Sequence, residues 1–241
     1  MASYQGVFKR YEKKYLVGSA QYALLLRALG GRLQPDQYGE SAICNIYFDT
    51  PDARLIRASL EKPVYKEKLR MRSYGTPDAG GTVFIELKKK YKGVVYKRRV
   101  DMALEAAMQY LVQGHAPEGR GQIAREVDWF LSLYPGIRPA MYISYQRTAF
   151  AAADEPGLRL TFDREILWRD EELRLDTGAW GAPLLAEDQR LLEIKIPGAM
   201  PLWLTHVLDA LQIYPVSFSK YGRAYQESRR QAERKERATC A

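Results

Sequence analysis

The amino-acid sequence predicts an α+β fold, an eight-stranded antiparallel β-barrel with helices packed around the outside. Eight segments alternate between apolar and polar residues, as half-buried strands do, and segments with helical spacing separate some of them. Short turn-forming stretches join several of these segments, which favours antiparallel hairpins. Eight antiparallel strands can close into a barrel, and a β-sandwich is the alternative arrangement. With 241 residues, 46% of them hydrophobic, the chain is long enough for one well-packed domain.

The strands are predicted from this alternation and from the turn signals between them. "DTPD" ends the second strand, the loop "GTPDAGG" joins the third to the fourth, and "YKG" supplies a tight turn between the fourth and the fifth. In chain order, the predicted strands are 7–17, 41–49, 64–73, 82–90, 94–100, 140–150, 157–168 and 190–196.

Helices are predicted where apolar residues recur at helical spacing. Ser19 is predicted to cap a helix that ends at Gly30–Gly31, and Pro201 opens the helix "PLWLTHVLDAL". The remaining helices are predicted at about 52–60, twice within 101–133 and from near Ser219.

The charge balance suggests an anionic partner. The sequence has 37 Lys and Arg against 29 Asp and Glu, a net charge of +8, which suits nucleic acid, a lipid headgroup, a nucleotide or polyphosphate. Six cations and three acids follow from Arg223 onwards, which leaves about +5 for the rest of the chain. No repeat or low-complexity linker divides the sequence, so we predict one domain over 1–226 and a charged tail over 227–241.

Neither the cysteines nor the N-terminal residues indicate export. Cys44 lies in an apolar run and Cys240 is next to last, so we predict no structural disulfide, and no metal-binding cysteine spacing occurs. The start "MASYQGVFKR" has no apolar signal core. No uninterrupted apolar run approaches the roughly 20 residues of a membrane span. These features predict a soluble, cytoplasmic protein without a membrane segment.

Strand alternation gathers the cations on one face. In "YKEKLRMRSYG", Lys66, Lys68, Arg70 and Arg72 alternate with other residues and therefore share a face. The same sorting places on this face Arg10, Glu12 and Lys14; Glu86, Lys88 and Lys90; Lys97 and Arg99; Tyr145 and Arg147; Arg159, Thr161 and Asp163; and Glu193 and Lys195. In two strands the opposite face is wholly apolar, with Leu158, Leu160 and Phe162 in one and Leu192, Ile194 and Ile196 in the other. That face is predicted to pack against the helices.

Two interpretations of the cationic face are open. It is either the solvated side of an antiparallel sheet or the lining of a barrel interior. Solvated faces usually mix signs, because opposite charges pair across strands, whereas cations dominate here in strand after strand. Cations that converge in a confined space repel each other, and burial lowers lysine pKa values. A bound chain of phosphates would remove that repulsion, and both guanidinium and ammonium groups suit phosphate oxygens.

Several short motifs occur in a fixed order along the chain. They are "RYEKKYL", "NIYFDT", "KLRMRSYG", "VFIELKKKYKGVVYKRRV", "SYQRTAF", "RLTFDREI", "LLEIKI" and "SFSKYGRA". Together, over about residues 8 to 225, they closely resemble the VTC domain, the polyphosphate polymerase domain of the CYTH-like triphosphate tunnel superfamily. The resemblance implies an eight-stranded antiparallel tunnel with helices outside. It also implies a reaction in which the terminal phosphoryl group of ATP joins a growing inorganic polyphosphate.

The resemblance also implies roles for individual residues. It assigns substrate-binding cations to Lys14, Arg70, Arg72, Lys88, Lys97, Arg147, Arg159 and Lys220, of which we predict that Arg70, Arg72, Lys88, Arg147, Arg159 and Lys220 serve catalysis. Tyr145 and Ser219 would hydrogen-bond phosphate oxygens. The main carboxylate for a divalent metal, Mn or Mg, would be Glu193, and Glu12 and Glu86 are further predicted ligands. Strand parity alone adds Lys66, Lys68, Arg99 and Lys195 to the substrate-binding set.

Two departures from the superfamily patterns stand out. Hydrolases of the superfamily carry E-x-E-x-K on the first strand, where this chain has Arg10, Glu12 and Lys14. Arg10 replaces a metal-binding carboxylate with an anion binder, which favours the polymerase branch over a two-metal triphosphatase. The last motif often carries Lys-x-x-Lys, and here Ser217 stands in the first place.

Other functions remain as alternatives at this point. A metal-dependent triphosphatase on the same fold would use water in place of the polyphosphate acceptor, and a non-catalytic module would bind polyphosphate without turnover. Nucleic acid is not expected, because few aromatic residues interleave with the cations to stack bases. The predicted partners are ATP and inorganic polyphosphate. Eukaryotic relatives carry membrane segments. Because this chain is predicted to have none, any export of its product would need a membrane-protein partner.

Overall fold

The computed structural model describes residues 7–8, 11–92, 94–115 and 121–239. Its strands are β1 Val7–Phe8, β2 Tyr11–Gly18, β3 Leu33–Asp49, β4 Tyr65–Tyr74, β5 Thr82–Tyr91, β6 Val94–Ala103, β7 Arg138–Ala152, β8 Arg159–Arg169, β9 Ala182–Pro183 and β10 Gln189–Ile196. Its helices are α1 Ser19–Leu29, α2 Arg54–Leu60, α3 Leu104–Gln113, α4 Gln122–Leu133, α5 Leu202–Ala210 and α6 Lys220–Thr239.

The strands form one antiparallel sheet that curls into a tunnel. Its order is β1-β6-β5-β4-β3-β7-β8-β10-β2, with β9 paired to β8. Within the described ranges, eight strands are eight residues or longer, as predicted from the sequence, and two have only two residues. The predicted antiparallel tunnel with outer helices is confirmed, although the ladder of hydrogen bonds is not closed between β1 and β2.

The two edges of the sheet meet at the start of the chain. β1 pairs with β6 through Phe8 and Val95, whereas β2 pairs with β10 through Glu12 and Lys195. Only residues 9–10 separate β1 from β2 in the sequence, and so short a segment holds the edges within about 11 Å of each other. Side chains also meet across the interior, since Lys88 Nζ on β5 lies 3.9 Å from Glu12 Oε2 on β2.

Apolar residues on the outer face of the sheet pack against the helices in two places. Leu69 and Met71 of β4 are fully buried with Tyr110 of α3 and Phe130 of α4. On the other side, the outer residues of β2, β8 and β10 pack against α1 and α5, as Leu25 and Leu204 show. Each fully buried side chain of this size contributes roughly 1.5–3 kcal/mol, so these two layers hold the curled sheet in shape.

A third apolar cluster lies on the inner side of the sheet. It joins inner residues of β7, β8 and β10, such as Ile143, Trp168 and Leu191, to Phe218 and Tyr221. α2 follows β3 directly, and α6 packs on α2 and β7, so these two helices cover the end where β3 ends and β4 begins. The interior therefore holds an apolar part beside its charged part.

The structure differs from the sequence prediction at several element ends. β3 begins at Leu33 rather than at 41, and its pairing with β7 is irregular between Pro35 and Glu40, where the polar sequence gave no alternation. Gly18 rather than Ser19 is the N-cap of α1, and its backbone N–H donates to Gln21 Oε1 at 3.2 Å. Predicted element ends shift by one to three residues elsewhere, which reflects fraying of terminal turns and pairs.

The last helix is longer than the predicted domain boundary implies. α6 runs from Lys220 to Thr239 without a break at 226, so the start of the predicted tail continues the helix that begins in the tunnel wall. None of the helices in the described ranges has the length and apolar character needed to cross a membrane.

Candidate functional site

The interior holds a cavity of about 210 Å³ that is strongly cationic. Nine of its lining residues are cations and two are carboxylates. The cations are Lys14, Lys68, Arg70, Arg72, Lys88, Lys97, Arg147, Lys195 and Lys220, and the carboxylates are Glu12 and Glu193. The remaining lining residues are Tyr47, Val95, Tyr145, Ser219 and Tyr221. Alternation along β2, β4, β5, β6, β7 and β10 places these side chains on the inner face.

Lysines face lysines across neighbouring strands. In the antiparallel register Lys68 is opposite Lys88, and Lys88 is opposite Lys97. A further pair, Lys66 and Lys90, lies one step nearer the start of β4. Directly opposed like charges destabilise a sheet, so a bound anion would relieve a strain that the folded chain carries by itself.

The carboxylate of Glu86 holds the cations of the β4–β6 wall. Its Oε2 accepts from Arg70 Nε at 2.7 Å, and Lys97 Nζ lies 2.5 Å from Oε1. The Nε atoms of Arg72 and Arg99 lie 3.9 and 3.6 Å from the Glu86 carboxylate. Burial alone would raise the pKa of Glu86, but Arg70, Arg72 and Lys97 hold it well below its usual value. Glu86 is therefore an anion at neutral pH that fixes these cations in place.

A second network lies on the opposite wall. Asp163 accepts a bidentate pair of hydrogen bonds from Arg147, at 2.6 and 2.7 Å, and Lys220 Nζ lies 2.5 Å from it. Lys220 also donates to Glu193 Oε1 at 3.1 Å. Burial would lower the pKa of Lys220, but Asp163 and Glu193 raise it. Lys220 is therefore charged, and its ammonium group is held between the carboxylates of Asp163 and Glu193.

Two carboxylates face the cavity and could hold a divalent metal. Glu193 is surrounded by cations, and Lys14 Nζ lies between it and Glu12, 3.4 Å from Glu193 and 3.5 Å from Glu12. Among the described residues no group of three or more His, Cys, Asp or Glu is arranged to bind a metal. Magnesium, however, is commonly bound by one or two carboxylates together with substrate phosphates. The donor set of Glu12 and Glu193 fits such a shared site.

The first turn of α6 also faces the cavity. Ser219 Oγ accepts from the backbone N–H of Gly222 at 3.1 Å, which is N-cap geometry, and from Lys68 Nζ at 3.2 Å. The N-terminus of a helix carries partial positive charge and unpaired N–H groups, which favour bound anions. The cap and Lys220, the first residue of α6, therefore add to the positive potential of the cavity.

Tyr47 is a lining residue that the sequence analysis did not assign. Its hydroxyl accepts from Arg70 Nη1 at 3.2 Å, and its ring stacks on Tyr221 at 4.7 Å between centroids. Burial alone would raise the pKa of Tyr47, but Arg70, Lys68 and Arg72 lower it to about 8. Tyr221 in turn donates to Asp49 Oδ2 at 2.9 Å. The pair thus connects the cavity wall to the end of β3.

Burial alters the ionisation of the cavity lysines. It lowers the pKa of Lys68, Lys97 and Lys195 to about 8 in each case, even though Glu86 raises that of Lys97 and Glu193 raises that of Lys195. Burial also lowers the pKa of Lys88. The positive charge of these lysines is therefore present at neutral pH and decreases as the pH rises above 8.

This gives a testable pH dependence with opposite signs for stability and binding. Between pH 8 and about 10.5 the folded lysines have lost protons that an unfolded lysine still holds. The unfolded state then binds more protons, so these groups make the free energy of unfolding rise with pH in that window. Affinity for tripolyphosphate should fall over the same window, because the cavity loses positive charge. Chemical denaturation without ligand and calorimetric titration across this pH range measure both trends.

Lys195→Met serves as the control for this pH dependence. It removes one of the titrating groups, so the rise in stability should be flatter in this variant than in the native protein. A native stability that falls from pH 8 to 10, or an affinity that does not change, would contradict the expectation.

The structure brings most of the predicted site residues together. Around the one cavity lie Lys14, Lys68, Arg70, Arg72, Lys88, Lys97, Tyr145, Arg147, Lys195, Ser219 and Lys220, with Glu12 and Glu193. Four predicted residues lie outside its lining. Glu86 is buried behind Arg70, Arg99 lies over the ring of Phe84, Lys66 Nζ donates to Ser59 O in α2, and Arg159 pairs with Asp36. Arg10 lies outside the described residues.

Two polar residues that hold the cations were not predicted as site residues. Asp163 was placed on the inner face by alternation but was not assigned a role, and Asn45 lies in a strand whose faces were not sorted. Asn45 Oδ1 accepts from Arg72 Nε at 2.9 Å, and Arg72 Nη2 donates to Tyr145 at 3.1 Å. Sorting "AICNIYFD" by parity would have placed Asn45 and Tyr47 beside the cations.

Comparison with known proteins identifies the family and the fold. The model of the VTC domain family matches residues 9–228. A crystal structure from Bacillus halodurans, described as a candidate adenylate cyclase, superposes with a TM-score of 0.56 at 17% identity, over 89% of this chain and 96% of that chain. A protein from Hippeastrum, described as a candidate adenylyl cyclase with a dominant triphosphatase activity, gives 0.55 at 17% identity, over 90% and 95%. At this identity the two show a shared fold. No curated protein sequence matches the chain.

Proposed function

Since this chain belongs to the VTC domain family, we propose that it is a polyphosphate polymerase that transfers the terminal phosphoryl group of ATP to a growing inorganic polyphosphate. The observation that carries the proposal is the cavity, in which nine cations converge and two carboxylates face them. So many like charges in a confined interior call for a polyanionic ligand. A triphosphate and a polyphosphate end are such ligands.

The side chains have distinct tasks in this reaction. Phosphoryl transfer needs alignment of the two phosphates and neutralisation of the charge on the transferring group. We assign charge stabilisation to Arg70, Arg72 and Lys88 on one wall and to Arg147 and Lys220 on the other. Because the acceptor is itself a phosphate, no nucleophilic side chain is required. The five cations bind and orient both phosphates in the interior.

Support for these cations comes from carboxylates behind them. Glu86 and Asp163 are almost wholly buried and accept from Arg70 and Arg147 respectively. We therefore assign Glu86 a positioning role and propose Glu12 and Glu193 as the metal ligands. A divalent metal held there would neutralise charge on the phosphate oxygens that it contacts. Arg159, the first residue of β8, and Arg99, within β6, would contact substrate outside the cavity.

A metal-dependent triphosphatase is the second candidate. It is favoured by the fold shared with the Hippeastrum protein, which is described as having a dominant triphosphatase activity. Incubation of the purified protein with ATP and manganese separates the two functions. Polymer on a gel stained for polyphosphate supports the polymerase, and phosphate release without polymer supports the triphosphatase. Tight polyphosphate binding without turnover of ATP would leave a non-catalytic binding module.

Arg10→Glu tests the choice between polymerase and triphosphatase. It restores the E-x-E-x-K pattern of the hydrolases, with a carboxylate two residues before Glu12 in the sequence. We expect this variant to lose polymer synthesis and to gain release of phosphate from tripolyphosphate with magnesium or manganese. Both products are measured from the same preparation. A native protein that hydrolyses tripolyphosphate rapidly and makes no polymer would show that the triphosphatase assignment is the right one.

A further inference from the structure

One exposed aromatic ring shares the inner face with the cavity cations. Tyr74 ends β4 and follows Arg72 by two residues, so both side chains point to the same face, about 6.6 Å apart along the strand. Its side chain is 52% exposed. The exposed tyrosines Tyr11, Tyr65 and Tyr91 differ, because each is one residue away from an inner-face residue and therefore has outer parity.

A guanidinium group lies beside this ring. The Cζ atom of Arg99 is 3.4 Å from the centroid of the Phe84 ring and 5.7 Å from that of Tyr74. Tyr74 and Phe84 meet edge to face at 5.8 Å. Arg99 Nη2 also approaches the Tyr74 hydroxyl at 3.5 Å. Phe84 thus supports a flat cation next to an exposed aromatic face, and both kinds of surface stack on nucleobases.

The position of this group suits the nucleoside part of a nucleotide. At the other end of the tunnel, α2 and α6 pack on the inner apolar cluster, and Lys66 and Lys68 bond to Ser59 and Ser219 there. A triphosphate bound among the cavity cations would therefore extend its sugar and base towards the end where β4 finishes. Tyr74 is the next inner residue after Arg72 in that direction.

We propose that Tyr74, with Arg99 beside it, is the platform on which the base of the donor nucleotide stacks. The inference rests on the proposed function, because it concerns the nucleotide that this function would use. Stacking recognises a π-face rather than a hydrogen-bond pattern. The platform therefore increases the affinity for nucleotides but not for inorganic tripolyphosphate. It binds adenine and guanine bases with similar affinity.

Equilibrium binding tests the platform without any need for turnover. A non-hydrolysable ATP analogue, the matching GTP analogue and tripolyphosphate are titrated into the native protein and Tyr74→Ala. Loss of a stacked base should weaken both nucleotides by about tenfold, whereas tripolyphosphate, which has no base, should change by less than about twofold. Tyr74→Phe keeps the ring and should bind all three ligands as the native protein does.

Tyr91→Ala is the matched control, because it removes an equally exposed tyrosine from the outer face of the same hairpin. An unchanged nucleotide affinity in Tyr74→Ala would overturn the inference. So would an equal loss for nucleotide and tripolyphosphate, or a tenfold nucleotide loss in Tyr91→Ala. A native protein that binds none of the three ligands would instead overturn the proposed function, which keeps the two failures distinct.

Discussion

Glu193→Gln is expected to lower the turnover of ATP roughly a thousandfold, because charge stabilisation by a bound metal is worth several kcal/mol and about 1.4 kcal/mol is a factor of ten. Polyphosphate affinity should remain or increase, since the variant removes a negative charge from a cationic cavity. Four cations lie within 3.7 Å of the Glu193 carboxylate. The ligand-free variant should therefore be less stable than the native protein, and added polyphosphate should restore stability. Steady-state kinetics over a range of manganese concentrations, with binding and thermal denaturation, measure all three effects.

Asp163→Asn is the matched control for this change. Asp163 contacts two of the same cations, Arg147 and Lys220, but it is fully buried and does not line the cavity. We expect it to lower stability without altering the manganese concentration for half-maximal activity. If Glu193→Gln lost binding and turnover in equal measure, Glu193 would be a structural ion-pair partner like Asp163 rather than a metal ligand.

Arg72→Met is expected to lower turnover by about a hundredfold to a thousandfold, the usual cost of removing one preorganised electrostatic group from a transition state. The fold should persist, because the substitution keeps most of the side-chain volume and removes one of nine mutually repelling charges. Arg72 donates its hydrogen bonds to Asn45 and Tyr145. Glu86, 3.9 Å away, keeps its three other cations in the variant. Turnover, circular dichroism and thermal denaturation of the same preparation provide the measurement.

Lys13→Met provides the comparison for a charge lost outside the cavity. Lys13 is exposed on the outer face of β2, next in sequence to Lys14. Its substitution should leave turnover within about twofold of the native value, because solvent and salt screen the effect of an exposed charge on the cavity. A well-folded Arg72→Met protein with native turnover would show that the cationic face has no role in catalysis.

Alternation alone predicted much of the fold and the composition of the cavity wall. The period-two pattern of β4 placed Lys68, Arg70 and Arg72 on one face, and the structure places them around one cavity. The same pattern indicated that Leu160 and Ile194 pack outwards, and both are fully buried against α1 and α5. These predictions succeed because side-chain direction in a strand depends on parity and not on the remainder of the fold.

Other features could not be derived, because they depend on contacts between distant segments. Arg159 has the predicted parity, but Asp36, from a polar stretch without alternation, pairs with it outside the cavity lining. Glu86 has inner parity as well, yet four cations surround it. The apolar cluster formed by α6 and the inner face of β7 likewise depends on a helix that arrives at the end of the chain. Strand parity predicts the face to which a side chain points, whereas the burial of that side chain and its contact partners depend on tertiary packing.

The pairing of β2 with β10 has a consequence for how the protein is made. These are the first and the last of the long strands, and Gly18 is opposite Gln189. Pairs so far apart in sequence form slowly, because a long loop must close before they gain any contact. During synthesis, β2 lacks its partner strand until the ribosome has made the segment up to Ile196. The cavity wall formed by β2 and β10, with Lys14, Glu193 and Lys195, is therefore expected to be completed last, after the cations of β4 to β6 are already in place.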